Sequence, residues 1–342
     1  MSLSINGIGI WIWNISACDG GNWDKIIARC QTAGINWILI KCGESSRNTQ
    51  WQPATAQIAI DKCHAAGLKI GGWNYSRPAT YQAEVELITS CVAQGLDFWI
   101  LDPEIEWQDA ANNKVLATNF MQALRAKLGN DFTLAYAPFA IPQFHTSYPY
   151  REFHQYASFC ATQLYWTEFD WSLQKAITLH DEGWAAFNKA NQDVIIPIYA
   201  IGNTYGSPYP GVKGVLTAAD LQTFLTHYKG LPISLYSYDA ATGFPTWGVL
   251  DAMNGNESPI ATTPAIPAPI TPPEVAPQQI AVPVSTVASA ISEPITVPVQ
   301  PTSAGTPSTV VIQPTITTQP NWFQALLLVV KGILKMLFSI KL

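Results

Sequence analysis

The segment GLDFWILDPEIEW sets three carboxylates, Asp102, Glu104 and Glu106, at every second position. Side chains alternate between faces in an extended chain. Phe98, Ile100, Asp102, Glu104 and Glu106 therefore share one face, and Trp99, Leu101 and Ile105 take the other. The first face turns from apolar to acidic along its length, as expected of a strand that leaves a packed core and opens into a site. Three carboxylates so close repel one another, which raises at least one pKa and leaves a proton donor beside an ionised partner. Cleavage of a glycosidic bond needs those two states together. An inert, solvated strand end would need basic partners, and the chain has only 18 Lys and Arg. Carboxylates also bind Mg²⁺ or Ca²⁺ through oxygen, but no other segment has metal-loop spacing. The expectation is a site without metal or cofactor.

Such a strand needs neighbours. Short apolar runs at 8–13, 37–41, 69–73, 98–104, 133–137, 161–166, 194–199 and 233–238 read as eight strands. Helical stretches lie between them: Trp23–Thr32, which Asn22 caps and Gly34 ends, 54–66 stopped by Gly67, and 83–93 stopped by Gly95. Repeated helix, glycine and apolar strand units predict an α/β fold, a (β/α)8 TIM-type barrel over residues 1–254. Its functional residues are then expected at the C-terminal strand ends. An open doubly wound sheet fits less well, because no glycine-rich phosphate loop follows the first strand.

Hydrophobic residues make up 48% of the chain and charged residues 12%, with a formal net charge of -6. That supports a large core and excludes nucleic acid as a partner. The 13 Trp, 13 Tyr and 13 Phe are plentiful, and a barrel uses some of them as core. Those at strand ends suit stacking on the apolar C–H faces of sugar rings. Cys18, Cys30, Cys42, Cys63, Cys91 and Cys160 form no C-x-x-C pair or zinc spacing, so buried free thiols are expected. The start, MSLSINGIGIW, has no basic segment followed by a long apolar one. A chain made in the cytoplasm without a secretory signal is the expectation.

Composition changes after the barrel. Residues 255–320 are rich in Pro, Thr, Val and Ala with almost no charge, which predicts an extended linker. Fully extended, such a spacer reaches roughly 200 Å at ~3.1 Å per residue. Residues 321–342, NWFQALLLVVKGILKMLFSIKL, read as an apolar helix with Gln324, Lys331, Lys335 and Ser339 on one stripe. A narrow cationic stripe with a Trp at the start suits a membrane interface. The alternatives are a span with snorkelling lysines, packing on the barrel, or a homo-oligomer through the helix. The charge-free run 322–330 is short of the ~18 residues of a spanning helix.

Taken in order, several motifs resemble the glycoside hydrolase family 25 lysozymes, the Chalaropsis-type muramidases. NWDKIIARCQTAGINWILIKCGESS resembles that family's first helix and second strand, ending in Lys41 and Glu44. AGLKIGGWNYSRP resembles its third strand and loop, ILDPE its fourth-strand D-x-E, and SYD, with Asp239, the acid closing its last strand. The resemblance runs from about Gly7 to Asp239. It implies a barrel that cleaves the β-1,4 bond between N-acetylmuramic acid and N-acetylglucosamine in peptidoglycan. It also implies Glu104 as general acid, Asp102 as stabiliser of positive charge or of the substrate's acetamido group, and Asp239 as a helper at the rim. Trp13, Asn74, Tyr75, Tyr136 and Trp166, near strand ends, are candidates for contact with the sugars.

The family carries an aspartate in its first strand, where this chain reads GIGIWIWNIS. Trp11, Trp13 or Asn14 stands there, with Asp19 the next acid. The chain is also similar to the family 18 chitinases, which end the same strand in D-x-D-x-E. On that register Glu106 is the acid and Tyr165 matches a family tyrosine. Two functions follow. One is a peptidoglycan hydrolase attached to a membrane, cell envelope or virion by residues 321–342, a layout that suits a phage or bacterium. The other is an inactive glycosidase-like barrel that binds glycan or serves an assembly.

Overall fold

The computed structural model describes residues 5–255. The linker at 255–320, beyond its first residue, and the helix at 321–342 lie outside the described residues, with the membrane and oligomer expectations placed on them. Eight parallel strands close into a barrel: β1 (Ile8–Ile12), β2 (Ile35–Glu44), β4 (Lys69–Ser76), β5 (Phe98–Pro103), β6 (Thr133–Tyr136), β7 (Phe159–Leu164), β8 (Ile198–Asn203) and β9 (Ile233–Tyr236). β1 pairs with both β2 and β9, which completes the ring. A two-residue arm, β3 (Arg47–Asn48), folds back on the end of β2. The expected (β/α)8 architecture is the observed one.

Helices follow the strands: α1 (Trp23–Thr32), α2 (Pro53–Ala65), α3 (Tyr81–Val92), α4 (Ile105–Asp109), α5 (Asn113–Leu128), α6 (Tyr150–His154), α7 (Leu173–Ala190), α8 (Ala218–His227) and α9 (Thr246–Met253). Asn22 caps α1, its side chain accepting from the backbone N–H of Asp24 and Lys25. Gly34, at φ +67°, then turns the chain into β2.

Alternation divides the core. Trp11, Trp37, Leu39, Trp73, Phe98, Ile100, Phe159 and Ile201 fill the barrel interior, while their neighbours in sequence pack outward against the helices. Glycines make room for the large rings: a Cβ on Gly71 would come within 2.4 Å of the Phe98 ring, and one on Gly72 within 2.3 Å of Trp99. All six cysteines are buried and free.

Three strand expectations need correction. The fourth strand does not stay extended to Glu106; it ends at Pro103, and Glu104 takes the position ahead of the short helix α4 without a side-chain hydrogen bond to it. Pro103 has no N–H to continue the ladder. The strand expected at 194–199 lies at Ile198–Asn203, because Pro197 interrupts the apolar run ahead of it. The strand expected at 161–166 starts earlier, at Phe159, and leaves Tyr165 and Trp166 in the following turn.

Candidate active site

The C-terminal ends of the strands surround a cavity of about 520 Å³. Asp102 is the last inward residue of β5, above Ile100 and Phe98. Glu104 follows on the far side of Pro103, where its unusual backbone (φ -117°, ψ -139°) turns its carboxyl back into the same cavity. Gln163, inward on β7, joins the two. Its Nε2 donates to Asp102 Oδ1 at 2.8 Å, to Glu104 Oε1 at 3.4 Å, and to the carbonyl of Ala137 at 2.9 Å. The pair is thus fixed from three strands, β5, β7 and the end of β6.

Burial sets the protonation of this pair. Loss of solvation pushes Asp102 well above the usual carboxylate range, the charge on Glu104 adds to that, and the Lys41 ammonium opposes it. Glu104 is pushed up to about 7, first by desolvation and then by the charges of Glu106, Glu168 and Glu44, against the hydrogen bond from Gln163. Two carboxyls in one dry site cannot both ionise readily, so they retain a shared proton up to neutral pH. That is the state required to protonate a leaving oxygen.

Glu106, in the first turn of α4, has a different environment. Tyr75 Oη donates to it at 2.6 Å and Arg77 Nε at 3.3 Å. Arg77 also reaches Glu44 at 3.3 Å, and Glu44 accepts from Lys41 Nζ at 2.7 Å. Buried Glu84 holds this loop in place by accepting from the Arg77 N–H and from Asn74 Nδ2, both at 2.9 Å. Glu106 does not line the cavity. Its replacement by Gln is expected to lower turnover less than about tenfold, since it acts on Glu104 only through charge. Steady-state rates of Glu106→Gln against the parent check this; a loss of several hundredfold would give Glu106 a direct role.

The first strand offers no carboxylate to the site. Trp11 lies inside the barrel, its Nε1 donating to Ser234 Oγ at 2.9 Å. Trp13 stands at the mouth, 47% exposed, with Lys41 Nζ 3.4 Å from its ring centroid. A cation–π pair thus occupies the region where the family resemblance places a first-strand acid. Asp19 accepts from Tyr238 and does not line the cavity. Asp239 accepts from the backbone N–H of Trp13 at 3.1 Å, which ties the segment after the last strand to the one after the first, and it does not line the cavity.

Tyr75, Tyr165 and Trp166 line the cavity, and so does Trp13. Two expected sugar contacts do not. Asn74 is fully buried on the outer side of β4, where its Oδ1 accepts from Trp99 Nε1 at 3.1 Å. Tyr136 also faces outward, into a cluster with His154 and Phe153. The alternation that turns Trp73, Tyr75, Ala135 and Ala137 inward necessarily turns these two out.

Other lining residues escaped the sequence reading. Gln163 carries no charge to draw attention, and only its inward parity with Phe159 and Ala161 marks it. Glu168, Phe169 and Trp171 follow β7 in a turn, and Phe144 and His145 follow β6. Among the described residues no group of three or more His, Cys, Asp or Glu side chains is arranged to hold a metal ion. Among them, too, no helix is long and apolar enough to cross a membrane.

No protein-family model matches the chain, and no curated protein matches it. Solved structures do. Concanavalin B is 14% identical at a TM-score of 0.50, covering 72% of this chain and 98% of its own. An endo-β-1,4-mannanase from Thermotoga petrophila is 9% identical at 0.51, covering 72% and 75%. A fungal β-1,4-galactanase is 10% identical at 0.51, covering 73% and 100%. At these identities the likeness is one of fold: the chain shares its barrel with proteins that include glycoside hydrolases.

Proposed function

We propose that the barrel is a glycoside hydrolase whose general acid is Glu104, acting on a polymer that contains N-acetylglucosamine. The observation that carries this is the Asp102–Glu104 pair, joined by Gln163 and pushed toward protonation at the end of β5. The fold neighbours named as a mannanase and a galactanase support a polysaccharide substrate in general. The motif order around Lys41, Tyr75, Asp102 and Asp239 favours peptidoglycan and a muramidase-like cut.

The carboxylate spacing bears on mechanism. Both oxygens lie within 3.4 Å of one nitrogen, so they are closer than the ~6.5–9.5 Å that an inverting pair leaves for its water. A retaining course fits better. In it Glu104 protonates the leaving oxygen, and Asp102 steadies either the cationic sugar or an acetamido group that attacks from within the substrate. In the family 18 register Glu106 is the acid, and its place outside the cavity, held by Tyr75 and Arg77, weighs against that. Attachment to an envelope through residues 321–342 completes the proposal.

The alternative is a barrel that binds glycan without cutting it. Trp13 and Lys41, standing where a first-strand acid was sought, favour it. A zymogram with the full-length chain on purified cell walls and on chitin separates the two. Clearing with release of new reducing ends is the expected result. Retention on the wall without any release would leave only the binding role. The rate should fall as pH rises through about 7, where the proton on Glu104 is lost. A profile flat from pH 6 to 9 would remove Glu104 as the acid.

A further inference from the structure

The two sides of the mouth differ. Beside β2 and β4 lie the charges of Lys41, Glu44, Arg77 and Glu106; beyond β6 and β7 lies an aromatic rim. Phe169 is 57% exposed and Phe144 53%, whereas most aromatic rings of the barrel are buried. Trp171 stands between them, its ring centroid 5.2 Å from that of Phe169 and 6.3 Å from that of Phe144. All three line the cavity that holds Asp102 and Glu104. Glu168, adjacent to Phe169, faces the same cavity and accepts a hydrogen bond from Tyr205. Apolar rings left in water cost free energy that stacking against an apolar face recovers. A pyranose has such a face, with hydroxyls around its edge that a carboxylate accepts from.

From this we infer that Phe144, Phe169 and Trp171, with Glu168 below them, form a subsite for one uncharged pyranose unit beyond the cleavage point. The inference rests on the glycan reading above and adds the direction in which the polymer leaves the acid: over the loops that follow β6 and β7. The rings line the same cavity as Glu104 rather than a separate patch, so one bound chain touches both. Glu168 gives the platform its polarity. Its carboxyl is raised by burial, which favours exchange of hydrogen bonds with hydroxyl groups over pairing with a cation.

The test is binding to the full-length Glu104→Gln variant, followed by tryptophan fluorescence and calorimetry. The probes are N-acetylglucosamine oligomers of two to six units and, in parallel, peptide-free strands alternating N-acetylglucosamine with N-acetylmuramic acid. Affinity should rise with length, and Phe169→Ala or Phe144→Ala should weaken the longest probes roughly 3- to 10-fold while leaving the shortest unchanged. Both side chains are exposed, so their loss leaves the barrel folded, which circular dichroism verifies. If the parent chain cuts no polymer but length-dependent binding depends on Phe169, the hydrolase reading fails and the subsite stands. If the parent cuts polymer and both variants bind every length like the Glu104→Gln parent, the subsite is overturned. Absence of binding by either probe series overturns it as well.

Discussion

Glu104→Gln should reduce kcat on polymeric substrate by about 10³-fold, within the range a positioned general acid contributes. The exchange preserves shape and an acceptor for Gln163, whose donation at 3.4 Å an amide oxygen also receives. What disappears is the proton that burial holds on this side chain up to about pH 7. A substrate with an activated aryl leaving group needs little protonation, so the deficit on it should shrink to tens of fold. The two substrates compared on one purified variant give the measurement. Retention of more than about a tenth of the parent rate on polymer would show that Glu104 is not the acid. Equal loss on both substrates would point to damaged positioning rather than a missing proton.

Much of this site is legible in the sequence. The helix–glycine–strand rhythm located the barrel because Asn22, Gly34, Gly67 and Gly95 punctuate it in the way helix ends demand. Alternation correctly carried Phe98, Ile100 and Asp102 to the inner face. It was carried too far at Pro103, where the ladder stops and the chain bends. Glu104 therefore reaches the cavity by a turn rather than by strand parity, and Glu106 departs to Arg77. Strict parity would also have excluded Asn74 and Tyr136, each flanked by inward neighbours. The aromatic rim had no comparable signal. Phe144, Phe169 and Trp171 lie in loops without periodicity, and a ring in a loop reads the same whether it caps the core or faces a ligand. Gln163 was hidden for another reason: its role depends on meeting Asp102, 61 positions away in sequence and on a strand that is not adjacent.

Asp102→Asn should cost about 10²-fold in kcat and, at the same time, stabilise the fold at alkaline pH. The kinetic effect follows from charge. Asp102 faces the cavity floor, where it can offset a developing positive charge or orient an acetamido group; a neutral amide does neither as well. Stability runs in the opposite direction. Folding raises the pKa of both carboxyls, that of Glu104 to about 7 and that of Asp102 well above its usual range, so the native state holds more protons than the unfolded chain above the ordinary carboxylate range. Stability from that source is complete below the unfolded pKa values and is lost as pH rises through the folded ones. Replacing Asp102 removes a group that must be ionised in a dry site or kept protonated against solution. Thermal unfolding of parent and variant at pH 4 and pH 8 reads this directly: similar Tm values at pH 4, and a variant higher by several degrees at pH 8. A variant that gains nothing at pH 8 would mean that Lys41, with its ammonium toward Asp102, already compensates the buried charge in the parent.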